Sequence, residues 1–204
     1  DALIIQDMAY LEMNLPPIAL HASTQTNNYH QGKVKLLERA GFSRVVLARE
    51  LTLDQIMEIR SETTAELEFF VHGSLCVSLS GQCYLSYAIG GRSANRGACA
   101  QPCRRKYSIT DKDGKIIEAD KHLLSLKDLN LSEYIKELAD AGIDSLKIEG
   151  RLKDAAYVKN ITSFYRQKID RVIATDKSYF RPSAGKIYCG FTPDPAKSFS
   201  RGST

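Results

Sequence analysis

Short apolar runs recur along the chain, separated by segments whose apolar positions fall every third or fourth residue. The runs are ALIIQD (2–7), IALHAS (18–23), RVVLARE (44–50), LEFFVHG (67–73), LLSLKD (123–128) and SLKIEGR (145–151). Each is rich in Ile, Leu, Val or Phe and ends on polar residues, the pattern of strands buried on both faces of a parallel sheet. Between them, NYHQGKVKLLERAGF sets Val34, Leu36, Leu37 and Ala40 along one face and stops at Gly41, a C-terminal helix cap. LTLDQIMEIRSET is a second helical segment. LSEYIKELADAGI offers Ser132 as N-cap, places Ile135, Leu138 and Ala139 at helical spacing, and stops at Gly142. DAAYVKNITSFYRQKIDRVIA predicts a long amphipathic helix after the last run.

Strand alternating with helix predicts an α/β fold with a parallel sheet. The leading architecture is an incomplete (β/α)8 barrel of the TIM type over residues 1–175, with a doubly wound open sheet as the alternative. The pair ERAGFSRVVLARE and ADAGIDSLKIEGR reads as one βα unit used twice. Six strands rather than eight, together with a start at Asp1 without Met, predict a piece lacking the first two units. Its cut edge could be relieved by a homodimer. Residues 73–121 read as a Cys-rich insertion, within which YSITDKDGKIIEA predicts a β-hairpin turned at Asp113-Gly114. From 176 to 204 the chain turns loop-like, with Pro182, Pro193 and Pro195, and its SFSRGST ending reads as a truncated extension.

Composition narrows the class. With 204 residues, 43% hydrophobic and 25% charged, the chain is an ordinary globular protein. No apolar run approaches the ~18 residues of a membrane span, and no signal peptide opens it. The net charge of +4 is too small to announce nucleic-acid binding, but its distribution is uneven. From Phe69 to Thr110 there is no Asp or Glu, whereas Arg92, Arg96, Arg104, Arg105 and Lys106 are all basic. Such a strip either steers an anionic partner or pairs with acids from elsewhere in the fold. The odd count of five cysteines argues against an extracellular disulfide framework and for a reducing cytoplasm with thiolates as ligands.

Strand ends are where α/β barrels gather functional groups. Here those ends carry His21, Arg49 with Glu50, His72, and Glu149 with Arg151. The cysteines follow Cys-x6-Cys-x15-Cys-x3-Cys at Cys76, Cys83, Cys99 and Cys103. A tight Cys-x2-Cys zinc knuckle is absent, while wide spacing suits an iron–sulfur cluster. Zinc, or unliganded and disulfide-bonded cysteines, remain open on spacing alone. Cys189 stands apart as a buried bystander thiol. There is no HExxH or GxSxG motif. A Cys–His pair such as Cys76 with His72 could serve a cysteine protease, since geometry and not sequence position decides a dyad.

The blocks EFFVHGSLCVSLSGQC, RSANRGACAQPCRRKY and AGIDSLKIEGRLKDAAYV stand in order along the chain and strongly resemble peptidase family U32, the collagenase-like peptidases. The resemblance covers nearly the whole chain. The family name implies proteolysis. Its RNA-modifying members imply instead an RNA pyrimidine hydroxylation protein, acting on transfer or ribosomal RNA, with a [4Fe–4S] cluster on four cysteines and prephenate as hydroxyl source. On this resemblance Cys76, Cys83, Cys99 and Cys103 become the cluster ligands. His72, Glu149 and Arg151 fall in the matching blocks, with His21 a further catalytic candidate. Arg92, Arg96, Arg104, Arg105 and Lys106 would receive RNA phosphates, and Tyr107 is either a stacking surface for a base or a hairpin residue facing the core. The competing functions are a genuine collagenase-like protease and a non-catalytic, zinc-binding barrel.

Overall fold

A computed structural model of the chain describes residues 1–151, 153–181 and 188–198. Pro182 and the final residues from 199 lie outside the described residues. The regular elements in chain order are β1 (Ala2–Ile5), β2 (Ala19–Ala22), α1 (Gln31–Arg39), β3 (Phe42–Val46), α2 (Leu53–Ser61) and β4 (Glu66–Gly73). They continue with α3 (Leu85–Gly90), β5 (Tyr107–Thr110), β6 (Ile116–Lys121), β7 (Leu129–Asn130), α4 (Ile135–Asp140), β8 (Ser145–Ile148) and α5 (Ala155–Thr175). Strands β1, β2, β3, β4 and β8 pair in parallel in that order, and β7 adds an antiparallel pair with β4. The sheet curls into a half-barrel, as the alternating pattern predicts for an α/β fold.

The helices cover one face. Val34 and Leu37 of α1, Ile56 and Ile59 of α2, Leu138 of α4 and Ile161 of α5 are at most 2% exposed and meet Val45, Leu67, Phe69 and Val71 from the strands. Each such side chain contributes roughly 1.5–3 kcal/mol by leaving water. Caps fix the helix starts: Thr52 and Gln55 form a reciprocal capping box at α2, and Asp154 Oδ1 accepts from Tyr157 N–H at 2.7 Å to open α5.

Three expectations are corrected. The run 123–128 forms no strand. Its Ser125 hydroxyl is tied to Arg104 at 2.8 Å and its N–H turns back to the His122 carbonyl, so the segment is held as a loop. The returning chain pairs only through Leu129 and Asn130, antiparallel to Gly73 and His72. Ser132 is not a side-chain cap either. The Asn130 side-chain oxygen takes that role, accepting from Ser132 N–H at 3.1 Å, and a 3-10 turn over Ser132–Tyr134 leads into α4. Finally, the RVVLARE run stops being ladder at Val46: Leu47 and Ala48 are fully buried, but Ala48 N–H bonds to the Asn28 carbonyl, a loop residue. The hairpin at Asp113-Gly114 is present as β5 and β6, with Gly114 at φ +81°.

Candidate functional site

The opposite face of β4 carries Glu68, Phe70 and His72, and it is here that the polar groups collect. Glu68 is nearly buried and accepts from Lys147 Nζ at 2.5 Å, Ser145 Oγ at 3.0 Å and Arg44 at 3.1 Å. Burial pushes its carboxyl up, but the Lys147 and Ser145 hydrogen bonds and the Arg44 charge prevail and hold it below the ordinary glutamate range. His21, paired in register with Arg44, belongs to this floor rather than to the sheet's C-terminal rim. Burial and Arg44 lower its pKa against the opposing pull of Glu68 and Glu66.

At the C-terminal ends of β3, β4 and β8 the chain opens a cleft of about 680 Å³. Gly73 sets its base. It sits at φ +104°, and a Cβ there would lie 2.6 Å from the Glu149 carbonyl oxygen. Only glycine permits that approach. Tyr157 OH donates to the same carbonyl at 3.0 Å, so the β8 terminus is pinned against β4. Glu149 then meets Arg49 at 3.7 Å, while the Arg49 guanidinium lies 4.1 Å from the centre of the Phe70 ring. Arg151 donates to the Gly97 carbonyl at 3.1 Å and so ties the β8 end to the Cys-bearing excursion.

Cys76, Cys83, Cys99 and Cys103 all line this one cleft, and none is in a disulfide. Local bonds place them. Gly81, at φ +74°, passes so close to Gln25 that a Cβ would lie 2.3 Å from its carbonyl oxygen. Asn95 Oδ1 accepts from Cys83 N–H at 2.9 Å, and the Cys99 sulfur accepts from Gln101 N–H at 3.3 Å. The buried Ser86 hydroxyl bridges Ala100 N–H and the Cys99 sulfur. Burial pushes the Cys103 thiol up, Arg104 opposes this, and the charges of Cys76, Cys99 and Cys83 add to it. Among the described residues no three His, Cys, Asp or Glu side chains close on a point that would hold a single ion. Among the described residues the four thiols therefore share the cleft wall without closing on one point. Two buried polar atoms of cleft-lining residues, Arg49 Nε and Ser74 Oγ, have no hydrogen-bond partner among the described residues.

The basic strip divides on inspection. Arg104 points inward, donating to the carbonyls of Leu75 (2.6 Å) and Leu126 (2.8 Å), so it braces the excursion. Lys106 pairs with Asp120 at 3.1 Å. Arg92 is exposed and donates through Nε to the Ala98 carbonyl. Arg96 and Arg105 are exposed, and no carboxylate among the described residues pairs with Arg92, Arg96 or Arg105. Tyr107 is neither free nor in the core: its hydroxyl donates to the Pro102 carbonyl at 2.8 Å. His72 is 7% exposed, lies behind the cleft wall, and has Nδ1 3.3 Å from Tyr165 OH. Burial lowers its pKa, Asp128 opposes, and Lys153 reinforces. His72 does not line the cleft with Cys76, and among the described residues no thiol–imidazole pair forms there. Tyr84, which lines the cleft next to Cys83, and Tyr87 one turn on, neither singled out by the sequence, stand exposed.

Comparison with known proteins gives this geometry a relationship. Over its full length the chain is 52% identical to a 23S rRNA 5-hydroxycytidine C2501 synthase of Escherichia coli, covering 31% of that protein. It is 38% identical over 170 residues to tRNA hydroxylation protein P1 of Bacillus subtilis, spanning 80% of this chain and 40% of the relative. A collagenase of Porphyromonas gingivalis is 37% identical over 184 residues, 83% of this chain and 44% of that one. The chain therefore spans about a third of the first of these relatives and less than half of the other two. No solved structure matches it. The model of peptidase family U32 matches residues 1–203, and with that match running almost from end to end the chain belongs to peptidase family U32.

Proposed function

We propose that this chain is the thiol-bearing part of an RNA pyrimidine hydroxylation protein, acting on ribosomal or transfer RNA with prephenate as hydroxyl source. The observation that carries it is the gathering of Cys76, Cys83, Cys99 and Cys103 on the wall of one cleft, beside Arg49, Glu149 and Arg151. Identity of 52% to a ribosomal RNA hydroxycytidine synthase supports the substrate class. In this reading the four thiolates hold a [4Fe–4S] cluster, which when bound supplies one-electron or Lewis-acid chemistry at the cleft. In this reading the half-barrel belongs to a TIM-type (β/α)8 barrel.

The protein's own groups orient and exclude. Arg49, on the cleft wall with its guanidinium 4.1 Å from the centre of the Phe70 ring, offers its charge, shared with Glu149, to a carboxylate of the co-substrate. Glu149 is held by Arg49 and by Arg151 N–H at 2.8 Å, which keeps its carboxylate fixed at the rim. Arg92, Arg96 and Arg105 take phosphates. His72, tied to Tyr165 behind the wall, positions the end of β4 without touching substrate.

Two measurements test the reading together. The complete protein, purified without oxygen, is expected to contain iron and sulfide and to lose both on Cys83→Ala. Ribosomal and transfer RNA from cells lacking the protein is expected to lose one hydroxylated pyrimidine nucleoside by mass spectrometry, restored by the parent gene and not by Cys83→Ala. Zinc in place of iron and sulfide, or an unchanged nucleoside profile, overturns it.

A further inference from the structure

Beyond the cysteines and arginines, the cleft rim carries an aromatic pair. Tyr84 precedes α3 and Tyr87 lies three residues on, so both project from one side of that short helix. They are 68% and 66% exposed. Neither hydroxyl has a hydrogen-bond partner among the described residues. Tyr84 lines the cleft with Cys83 and the exposed Leu79. Leaving two tyrosines so bare has a cost in water unless a partner covers them.

The surroundings say what covers them. The strip from Phe69 to Thr110 has no acid, and Arg92 and Arg96 follow α3 directly without a carboxylate partner. Flat aromatic faces flanked by uncompensated guanidinium groups match a single strand of nucleic acid, whose bases stack while its phosphates pair. A duplex keeps its bases stacked on each other and offers these faces nothing. A protein partner would need an acidic apolar surface, and it would not require unpaired bases.

We propose that Tyr84 and Tyr87 form a stacking platform for unpaired bases of a single-stranded RNA segment leading into the thiol-lined cleft. This rests on the RNA reading above and adds the element that selects single strands. Arg92 and Arg96 hold the phosphates on either side of the stacked bases.

The test is fluorescence anisotropy with the complete protein and a labelled single-stranded pyrimidine-rich oligoribonucleotide, alongside the same sequence annealed to its complement. Tyr84→Ala and Tyr87→Ala are each expected to weaken single-strand binding by about tenfold, and the Phe variants by less than about twofold, because the ring face and not the hydroxyl is used. Arg96→Ala is expected to weaken single-strand binding and to flatten its salt dependence. Both tyrosines are exposed, so melting temperature serves as the control that each variant is folded. If the Ala variants bind like the parent while Arg96→Ala does not, the surface is electrostatic only and the platform is refuted. Equal affinity for duplex and single strand, or no binding of either, refutes it as well. The hydroxylated-nucleoside measurement judges the RNA reading separately: a lost nucleoside with unaffected Ala variants leaves that reading standing and removes this one.

Discussion

Removing the Glu68 carboxylate is the sharpest test of the polar floor beneath the cleft. Its side chain is 9% exposed, whereas Arg44 and Lys147, its two cationic partners, are 27% and 28% exposed. Glu68→Ala leaves both cations facing an empty position, with Arg44 retaining only Glu66. Breaking a fully buried pair costs about 3–5 kcal/mol. Water reaches both cations here, which lowers the expected loss to about 2–4 kcal/mol. For a domain of this size that is a fall of very roughly 4–16 °C in melting temperature. The pH dependence has a definite sign. Because the Glu68 pKa is depressed in the folded state, its contribution is complete above the unfolded glutamate pKa of about 4.3 and is lost as pH falls through the folded value. Urea titrations of parent and Glu68→Ala from neutral to acid pH should therefore show a gap that is constant near neutrality and closes in acid. A gap below about 1 kcal/mol at pH 7, or one that does not narrow in acid, refutes the assignment.

Gly81→Ala should be costly out of proportion to one methyl group: the new Cβ meets a backbone oxygen that cannot swing away, and a melting-temperature loss of several degrees, with faster alkylation of the cleft thiols, is the expected outcome. Leu67→Ala, at a fully buried position on the helix side of β4, should cost about 2–5 kcal/mol in denaturant unfolding without altering the oligonucleotide affinity of whatever fraction stays folded.

What the sequence discloses follows from how each element is stabilised. β4 and α5 are legible almost to the residue because their burial is regular: from Leu67 to Gly73 every β4 residue is buried, and α5 places Tyr157, Ile161 and Tyr165 inward at helical spacing. The segment 123–128 misleads because Leu124 and Leu126 alternate like a strand while its conformation is set by Arg104, a long-range contact invisible to local pattern. β7, two residues long, has no local signal. At the site, Arg49, Glu149, Arg151 and the four cysteines line one cleft, the strand-end residues because β3 and β8 end there. His21 and His72 do not, since their positions along β2 and β4 put one on the floor and the other against Tyr165. Tyr84 and Tyr87 escape notice because nothing in a sequence separates an exposed tyrosine from a packed one.

The pairing of β7 with the last two residues of β4 has a structural corollary. The chain departs at Ser74 and is stitched back at Leu129 onto His72 and Gly73, so the whole sulfur-bearing excursion leaves and returns through one doorway. The sheet closes its two ends, while Arg104, Gly81 and Arg151 fasten its interior to itself and to the half-barrel. A change of length is therefore best absorbed in the exposed β5–β6 hairpin, away from those fastenings.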